Sequence, residues 1–117
     1  MEKHFKEILE IEDVLGALFL APDGRQRFRA FNDETLKNVP AQEWADVVLA
    51  LGEVRAAEVV FERKRIYFHR TPSGYIAVVT GWFAPMAMVR LNCDVIAPQL
   101  EGEDKPARGL GRFFKRS

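Results

Sequence analysis

The stretch that decides the fold is AAEVVFERKRIYFHRTPSGYIAVVTGWF, residues 56–83. Its β-branched and aromatic residues form three runs, at 56–63, 65–71 and 74–83, and turn-forming residues separate the last two. Strands joined by short turns are typical of an antiparallel meander. The last run is apolar on both faces, with Ile76, Val78 and Trp82 on one and Tyr75, Ala77 and Val79 on the other. We therefore expect a layer of helices on each side of this strand.

The residues before this stretch predict a helix and then a hairpin. In residues 2–12 apolar side chains recur at helical spacing among Lys and Glu, the pattern of a helix that packs one face on a core. The apolar run VLGALFLA, residues 14–21, is too short for a comfortable helix, and the Pro-Asp-Gly that follows favours a tight turn. The return strand, RQRFRAF at 25–31, alternates arginine with other residues and is expected at an edge of the sheet.

Two more helices flank the three strands. Pro40 suits the first turn of a helix, and apolar residues then keep helical spacing until Gly52 ends it. Pro85 opens a third helix, and we expect Pro98 to end it because proline lacks an amide proton. The predicted fold is α/β of the α+β type, a five-stranded antiparallel sheet sandwiched between helices in the order α-β-β-α-β-β-β-α.

Length and charge predict one domain and a short tail. The chain has 117 residues, of which 48% are hydrophobic and 29% charged, as in an ordinary globular domain. Residues 1–104 hold 12 basic and 17 acidic side chains, whereas residues 105–117 hold 5 basic ones and no acidic one. We assign residues 1–100 to the folded domain and residues 101–117 to a flexible basic tail. The balanced net charge argues against nucleic acid as a partner.

The residues that usually carry chemistry form no catalytic or metal-binding constellation. Cys93 lies on the apolar side of the third helix and is expected to be a buried thiol, while His4 and His69 fall in different elements. The G-x-x-x-x-G-K-[ST] loop of P-loop GTPases is missing from the sequence. We predict no enzyme and no cofactor. One cysteine and a charged N-terminus without a signal-like apolar run indicate a cytoplasmic protein.

Three local stretches resemble the Roadblock dynein-light-chain family. They are EIEDVLGALFLAPDG at 10–24, ALGEVRAAEVVFERKRIYFHR at 50–70 and GYIAVVTGWFAPMAMVRLNCDV at 74–95. They are similar to the family's first hairpin, to its third and fourth strands, and to its last strand with the helix that follows. Their order and spacing carry the resemblance. The fold it implies is Roadblock/profilin-like.

The resemblance implies a non-catalytic homodimer that binds and regulates, or scaffolds, a small Ras-like GTPase in a prokaryotic cytoplasm. Roadblock domains pair their third strands edge to edge and pack their second helices together. The interface residues this implies here are Trp44, Val48, Leu51, Ala57, Val59 and Phe61. Such an interface would bury on the order of 1,600 Å². Candidate partner-binding residues are those of a basic turn and of the basic, aromatic tail: Arg63, Lys64, Arg65, Arg112, Phe113, Phe114, Lys115 and Arg116.

Two other functions remain open at this point. A small-ligand sensor of PAS-like shape also wraps helices around a five-stranded antiparallel sheet, but it needs polar anchors in an apolar cavity. Alternatively, the folded body presents the tail to a membrane or a polyanion, because basic residues interleaved with phenylalanine can contact anionic surfaces.

Overall fold

The structure is a computed structural model that describes residues 2–33, 36 and 41–104. The elements follow the predicted order, which confirms the predicted fold class. They are α1 (Glu2–Leu9), β1 (Val14–Leu20), β2 (Gln26–Phe31), α2 (Ala41–Leu51), β3 (Ala56–Phe61), β4 (Lys64–Thr71), β5 (Gly74–Thr80) and α3 (Met86–Asp104).

The five strands form one antiparallel sheet in the order β2-β1-β5-β4-β3. The strand β5 lies at the centre and is buried at every position, because α1 and α3 cover one face and α2 covers the other. The strands β2 and β3 form the two edges. The predicted cover on both faces of the last strand is confirmed.

The sequence prediction placed Trp82 on the face of this strand, and that was wrong. The strand ends at Thr80, and Trp82 lies in the following loop with 47% of its surface exposed. Asp13 turns the chain away from the sheet at this point. Its carbonyl accepts the Gly81 N–H at 2.9 Å, and its carboxylate accepts the Phe83 N–H at 2.9 Å.

Two apolar clusters hold the layers together. The first lies between the sheet and the helices α1 and α3, and it includes Phe5, Ile8, Val89 and Leu100. The second lies on the opposite face, where Trp44 and Val48 of α2 pack on side chains of β1, β4 and β5. At its C-terminal end, α1 stops at Leu9 rather than at residue 12, and the Asn32 side-chain amide donates to the carbonyls of Leu9 and Val14.

The helix α3 does not end at Pro98 as the sequence predicted. It continues through Pro98 to Asp104. Proline removes one hydrogen bond from the helix, but the full burial of Leu100 in the first cluster stabilises the extra turn and offsets that loss. Glu101 also fixes this end, since its Oε2 accepts the Ser73 backbone N–H at 3.2 Å and the Ser73 hydroxyl at 2.6 Å.

The turn between β4 and β5 approaches the end of β1 closely at Gly74. This residue has a φ of +151°, and a Cβ there would lie 1.9 Å from the carbonyl oxygen of Leu20. Only glycine fits, because both the backbone angle and the close backbone contact exclude a side chain.

Candidate interaction surface

The strand β3 has an edge whose backbone groups face away from the sheet. The Arg70 N–H donates to the Arg55 carbonyl at 2.8 Å, so these two residues form a hydrogen-bonded pair between the strands. Bonded and non-bonded pairs alternate along an antiparallel ladder. Residues 57, 59 and 61 therefore point their N–H and C=O groups toward β4. Residues 56, 58 and 60 point theirs outward, where β3 has no neighbouring strand among the described residues.

The side chains of β3 alternate between two environments. Ala57, Val59 and Phe61 are half-buried, and the last two pack against the cluster beneath α2. Ala56, Glu58 and Val60 are exposed on the opposite face, and Val60 leaves 60% of its surface in solvent. A β-branched residue this exposed on an unpaired edge is an aggregation liability unless a partner covers it.

Trp44 and Val48 do not form a free surface on α2. They are 4% and 2% exposed and belong to the core of the single chain, so the chain's own sheet already covers these two residues of the implied interface. Helical spacing put Trp44, Val48 and Leu51 on one apolar face, and that face packs on the chain's own sheet. Leu51 is half-buried at the border of the same cluster.

A cavity lies between α2 and the β3–β4 hairpin, and the α2 residues that line it show which side of the helix faces β3. Glu43 and Val47 line it together with Phe61 and Lys64 of the β3–β4 hairpin. On the other side of the helix, Ala45 contacts the β1–β2 turn so closely that a Cβ on Gly24 would lie 2.2 Å from its Cα. Val47, and not the buried Trp44, therefore flanks the free edge.

This cavity has a volume of about 220 Å³. Its floor is apolar, formed by Trp44, Ile66 and Val79 among others, and Glu43, Glu62 and Lys64 supply its polar groups. Pockets for drug-sized ligands usually measure about 300–1,000 Å³. The cavity is small for the ligand that a PAS-like sensor would hold. Two larger cavities, of about 460 and 410 Å³, are lined mainly by charged and polar residues, unlike the apolar lining of a typical ligand pocket.

The turn between β3 and β4 consists of Glu62 and Arg63, both with positive φ, at 47° and 69°. Two-residue hairpin turns of this kind favour Asn-Gly or Asp-Gly, because other side chains are strained there. Arg63 is exposed at the tip of the turn, whereas Lys64 is half-buried beside the cavity.

Arg65 is held by its own chain. Its guanidinium carbon lies 4.9 Å from the centre of the Trp82 ring, and its Nε lies 3.7 Å from a carboxylate oxygen of Glu58. That Nε is buried and makes no hydrogen bond within the part of the chain that the structure describes. Of the three basic residues predicted for this turn, only Arg63 is exposed, whereas Lys64 and Arg65 are half-buried.

Burial shifts the pKa values of two residues, Cys93 and His69. Burial raises the pKa of the Cys93 thiol to about 12, so the thiolate needed for nucleophilic chemistry does not form near neutral pH. Burial lowers the pKa of His69, although Nε2 of that ring lies 3.7 Å from Oδ1 of Asp94. Among residues 2–33, 36 and 41–104, no group of three or more His, Cys, Asp or Glu side chains has a metal-binding arrangement.

The predicted tail contacts, Arg112, Phe113, Phe114, Lys115 and Arg116, lie outside the described residues. The separate assignment of residues 101–117 to a flexible tail stays a prediction, although α3 extends four residues into that range. No helix in the described part of the chain is long and apolar enough to cross a membrane.

Comparison with solved structures finds the same fold in 17 chains, among them the following three. MglC from Myxococcus xanthus has a TM-score of 0.64 at 17% identity, over 87% of this chain and 97% of that one. A structure of MglB with a tetrameric arrangement has a TM-score of 0.67 at 20% identity, over 85% and 83%. A Roadblock/LC7 domain from Streptomyces avermitilis has a TM-score of 0.60 at 17% identity, over 86% and 94%. No protein-family model matches the chain, and no curated protein matches it.

Proposed function

We propose that this chain, which has the Roadblock/LC7 fold, is a non-catalytic cytoplasmic homodimer that binds and regulates a small Ras-like GTPase. The proposal of a dimer rests on the free edge of β3, whose backbone groups at residues 56, 58 and 60 point outward. A second copy of the same strand satisfies these groups and closes the edge, as β-strand addition does in other complexes. Val47 and Val54 flank this edge and join the interface.

The charge of Glu58 selects the register of the two strands. Hydrogen-bonded pairs between the copies must join residues of the outward set. About a two-fold axis, Glu58 then lies opposite Ala56, Glu58 or Val60 of the second copy. The Ala56 register overlaps only residues 56–58 of the two strands, whereas the Val60 register overlaps residues 57–61. The Glu58 register sets two carboxylates face to face, and like charges directly opposite are destabilising. We therefore place Glu58 opposite Val60 of the second copy, with Val59 on the axis.

Disulfide trapping tests this register while Glu58 stays in place. In the proposed register, Val59→Cys meets its own twin across a non-bonded pair about 4.5 Å apart at Cα, which is within the range of a disulfide. Under mild oxidation this variant should form a homodisulfide, including when it is mixed with Ala57→Cys. A mixed disulfide between the two variants as the main product would support the register with Glu58 opposite Glu58. A homodisulfide of Ala57→Cys in place of that of Val59→Cys would support the register with Glu58 opposite Ala56. The absence of any disulfide would contradict the pairing.

The GTPase assignment follows from the Roadblock resemblance of the sequence, and the same fold in the solved structures supports it. Arg63 is suited to contact such a partner, because it is exposed at the tip of a strained turn. Strain of this kind, of order 1–3 kcal/mol per residue, collects at functional sites. The dimer presents two copies of this turn on one platform.

A GTPase from the same genome, loaded with GDP or with a non-hydrolysable GTP analogue, provides the test. Its affinity for the protein should differ between the two states by roughly tenfold or more, about 1.4 kcal/mol. Arg63→Gly should weaken binding without lowering stability, because glycine relieves the positive φ. Arg29→Ala, on the other edge strand, is the matched control. Binding that does not depend on the nucleotide, with every such GTPase tried, would contradict the proposal.

A further inference from the structure

Part of the exposed surface of α3 is apolar, although this helix already packs its inner face on a core. Met88, Leu91 and Val95 are 50%, 62% and 55% exposed, and they follow at helical spacings of three and four residues. Phe83, at the entrance to the helix, is 81% exposed. We call these four residues the α3 stripe. Contiguous exposed apolar surface of this kind marks an interaction site.

The neighbouring helix shows what a solvent-facing surface looks like in this protein. The exposed residues of α1 are charged: Glu2, Lys3, Lys6 and Glu7. Both helices cover the same face of the sheet, and α2 covers the opposite face. The α3 stripe therefore lies on a different surface from Val47 of α2, and pairing of the β3 edges does not by itself explain it.

We propose that the α3 stripe binds the α3 stripe of another copy, with the two helices antiparallel about a two-fold axis. The charged flank of the stripe supports this occupant. Arg90 and Asp94 are both exposed and lie one helical turn apart on the same flank of the helix. Asp94 keeps 67% of its side chain in solvent although its Oδ1 lies 3.7 Å from Nε2 of His69 in the same chain. In an antiparallel symmetric pair each flank faces the same flank of the other copy. With the axis near residue 92, each Arg90 lies opposite Asp94 of the other copy.

The apolar residues have the same symmetry. The midpoint of Met88 and Val95 falls between residues 91 and 92, almost where the two charges require the axis. Met88 then packs on Val95 of the other copy, and Leu91 packs on Leu91 across the axis. A surface whose charges and apolar residues complement themselves about one point is what an isologous contact needs.

The contact is short, so it should be weaker than the pairing of the β3 edges. Three exposed residues on about two turns of helix cover less than the roughly 800 Å² per partner of a standard interface. We expect association that grows with concentration and joins two β3-paired dimers. The two contacts are separable, because Val60→Pro blocks the edge and leaves the α3 stripe intact, whereas Leu91→Glu does the reverse.

Exchanging the charges of Arg90 and Asp94 tests the contact itself, because variants that merely damage the fold would not regain association when they are mixed. Arg90→Asp places two acidic residues opposite each other, and Asp94→Arg places two basic ones, so each variant should raise the dissociation constant of this step by roughly tenfold or more. An equimolar mixture of the two variants should restore association, and so should the double variant. Lys3→Glu on α1 is the matched control.

Sedimentation over a range of concentrations, with circular dichroism to confirm folding, measures these outcomes. The wild type should exceed the mass of a dimer at high concentration, and Leu91→Glu should not. Val60→Pro should still associate through α3, which distinguishes this contact from the proposed edge pairing. A wild type that never exceeds a dimer, or a mixture of the charge variants that associates no better than each alone, would overturn the proposal.

Discussion

Truncating Leu100 to alanine tests whether α3 continues past Pro98 as part of the core. Leu100 is fully buried in the cluster with Phe5, Ile8 and Val89. Leu→Ala at such a site removes three carbons from water-free packing and leaves a cavity, which typically costs 2–5 kcal/mol. We expect about 3 kcal/mol for Leu100→Ala, and a melting temperature lower by roughly 10 °C. If the chain left the core at Pro98, the cost would stay within about 0.5 kcal/mol.

Urea denaturation at one fixed protein concentration measures this difference, since association contributes to apparent stability. Gln99→Ala, at the exposed neighbouring position, is the control and should be nearly neutral. Pro98→Ala should not destabilise the protein, because Pro98 is exposed and alanine can donate to the helix. A midpoint for Leu100→Ala equal to that of Gln99→Ala would refute the helix as described.

Three further predictions concern the core and the β4–β5 turn. Gly74→Ala should cost several kcal/mol or prevent folding, because its Cβ would overlap the carbonyl oxygen of Leu20; urea midpoints measure this. Ser73→Ala should cost about 1 kcal/mol in the same assay through loss of the hydroxyl bond to Glu101, and no change would contradict that bond. Cys93 should resist alkylation at pH 8 until the protein unfolds, and rapid alkylation of the folded protein would contradict this. The pKa of its thiol is near 9.0 in the unfolded chain and about 12 in the folded one, so the contribution of Cys93 to stability should fall as pH rises above 9.

The sequence predicted the elements well because their apolar patterns are local. The run from residue 74 has apolar residues on both of its faces, so its cover by helices on both sides followed from the pattern alone. The position of β3 at the edge did not follow from its alternation, which suits an edge or a half-covered strand equally. The Roadblock resemblance supplied that expectation, and the sheet order confirms it.

The interaction surface was harder to predict because it depends on contacts between distant residues. Trp44 lies on an apolar helical face, and the sequence does not say whether the chain's own sheet or a second copy covers that face. The outward set at 56, 58 and 60 depends on the pairing of β3 with β4. That pairing also makes Val59→Pro a poor edge-blocking variant, because the N–H of Val59 points toward β4.

The sequence analysis missed two features of α3, its C-terminal end and its exposed apolar stripe, for different reasons. The bonds from Ser73 to Glu101 join residues 28 positions apart, so no local rule could place the helix end at Asp104. The spacing of Met88, Leu91 and Val95 was readable in the sequence. It was missed because the inward residues of the same helix, Val89 among them, already satisfied the helical pattern.

Solution mass tests the central claim most directly. Leu91→Glu is used as the background, so that α3 does not contribute to association. Light scattering should give twice the 13.4 kDa chain mass for this variant. Adding Val60→Pro should give the mass of one folded chain, because proline removes an outward N–H and leaves the bonds to β4 intact. Adding Val60→Thr should leave the dimer unchanged. A Leu91→Glu protein that is monomeric, or a dimer that survives Val60→Pro, would contradict pairing through β3.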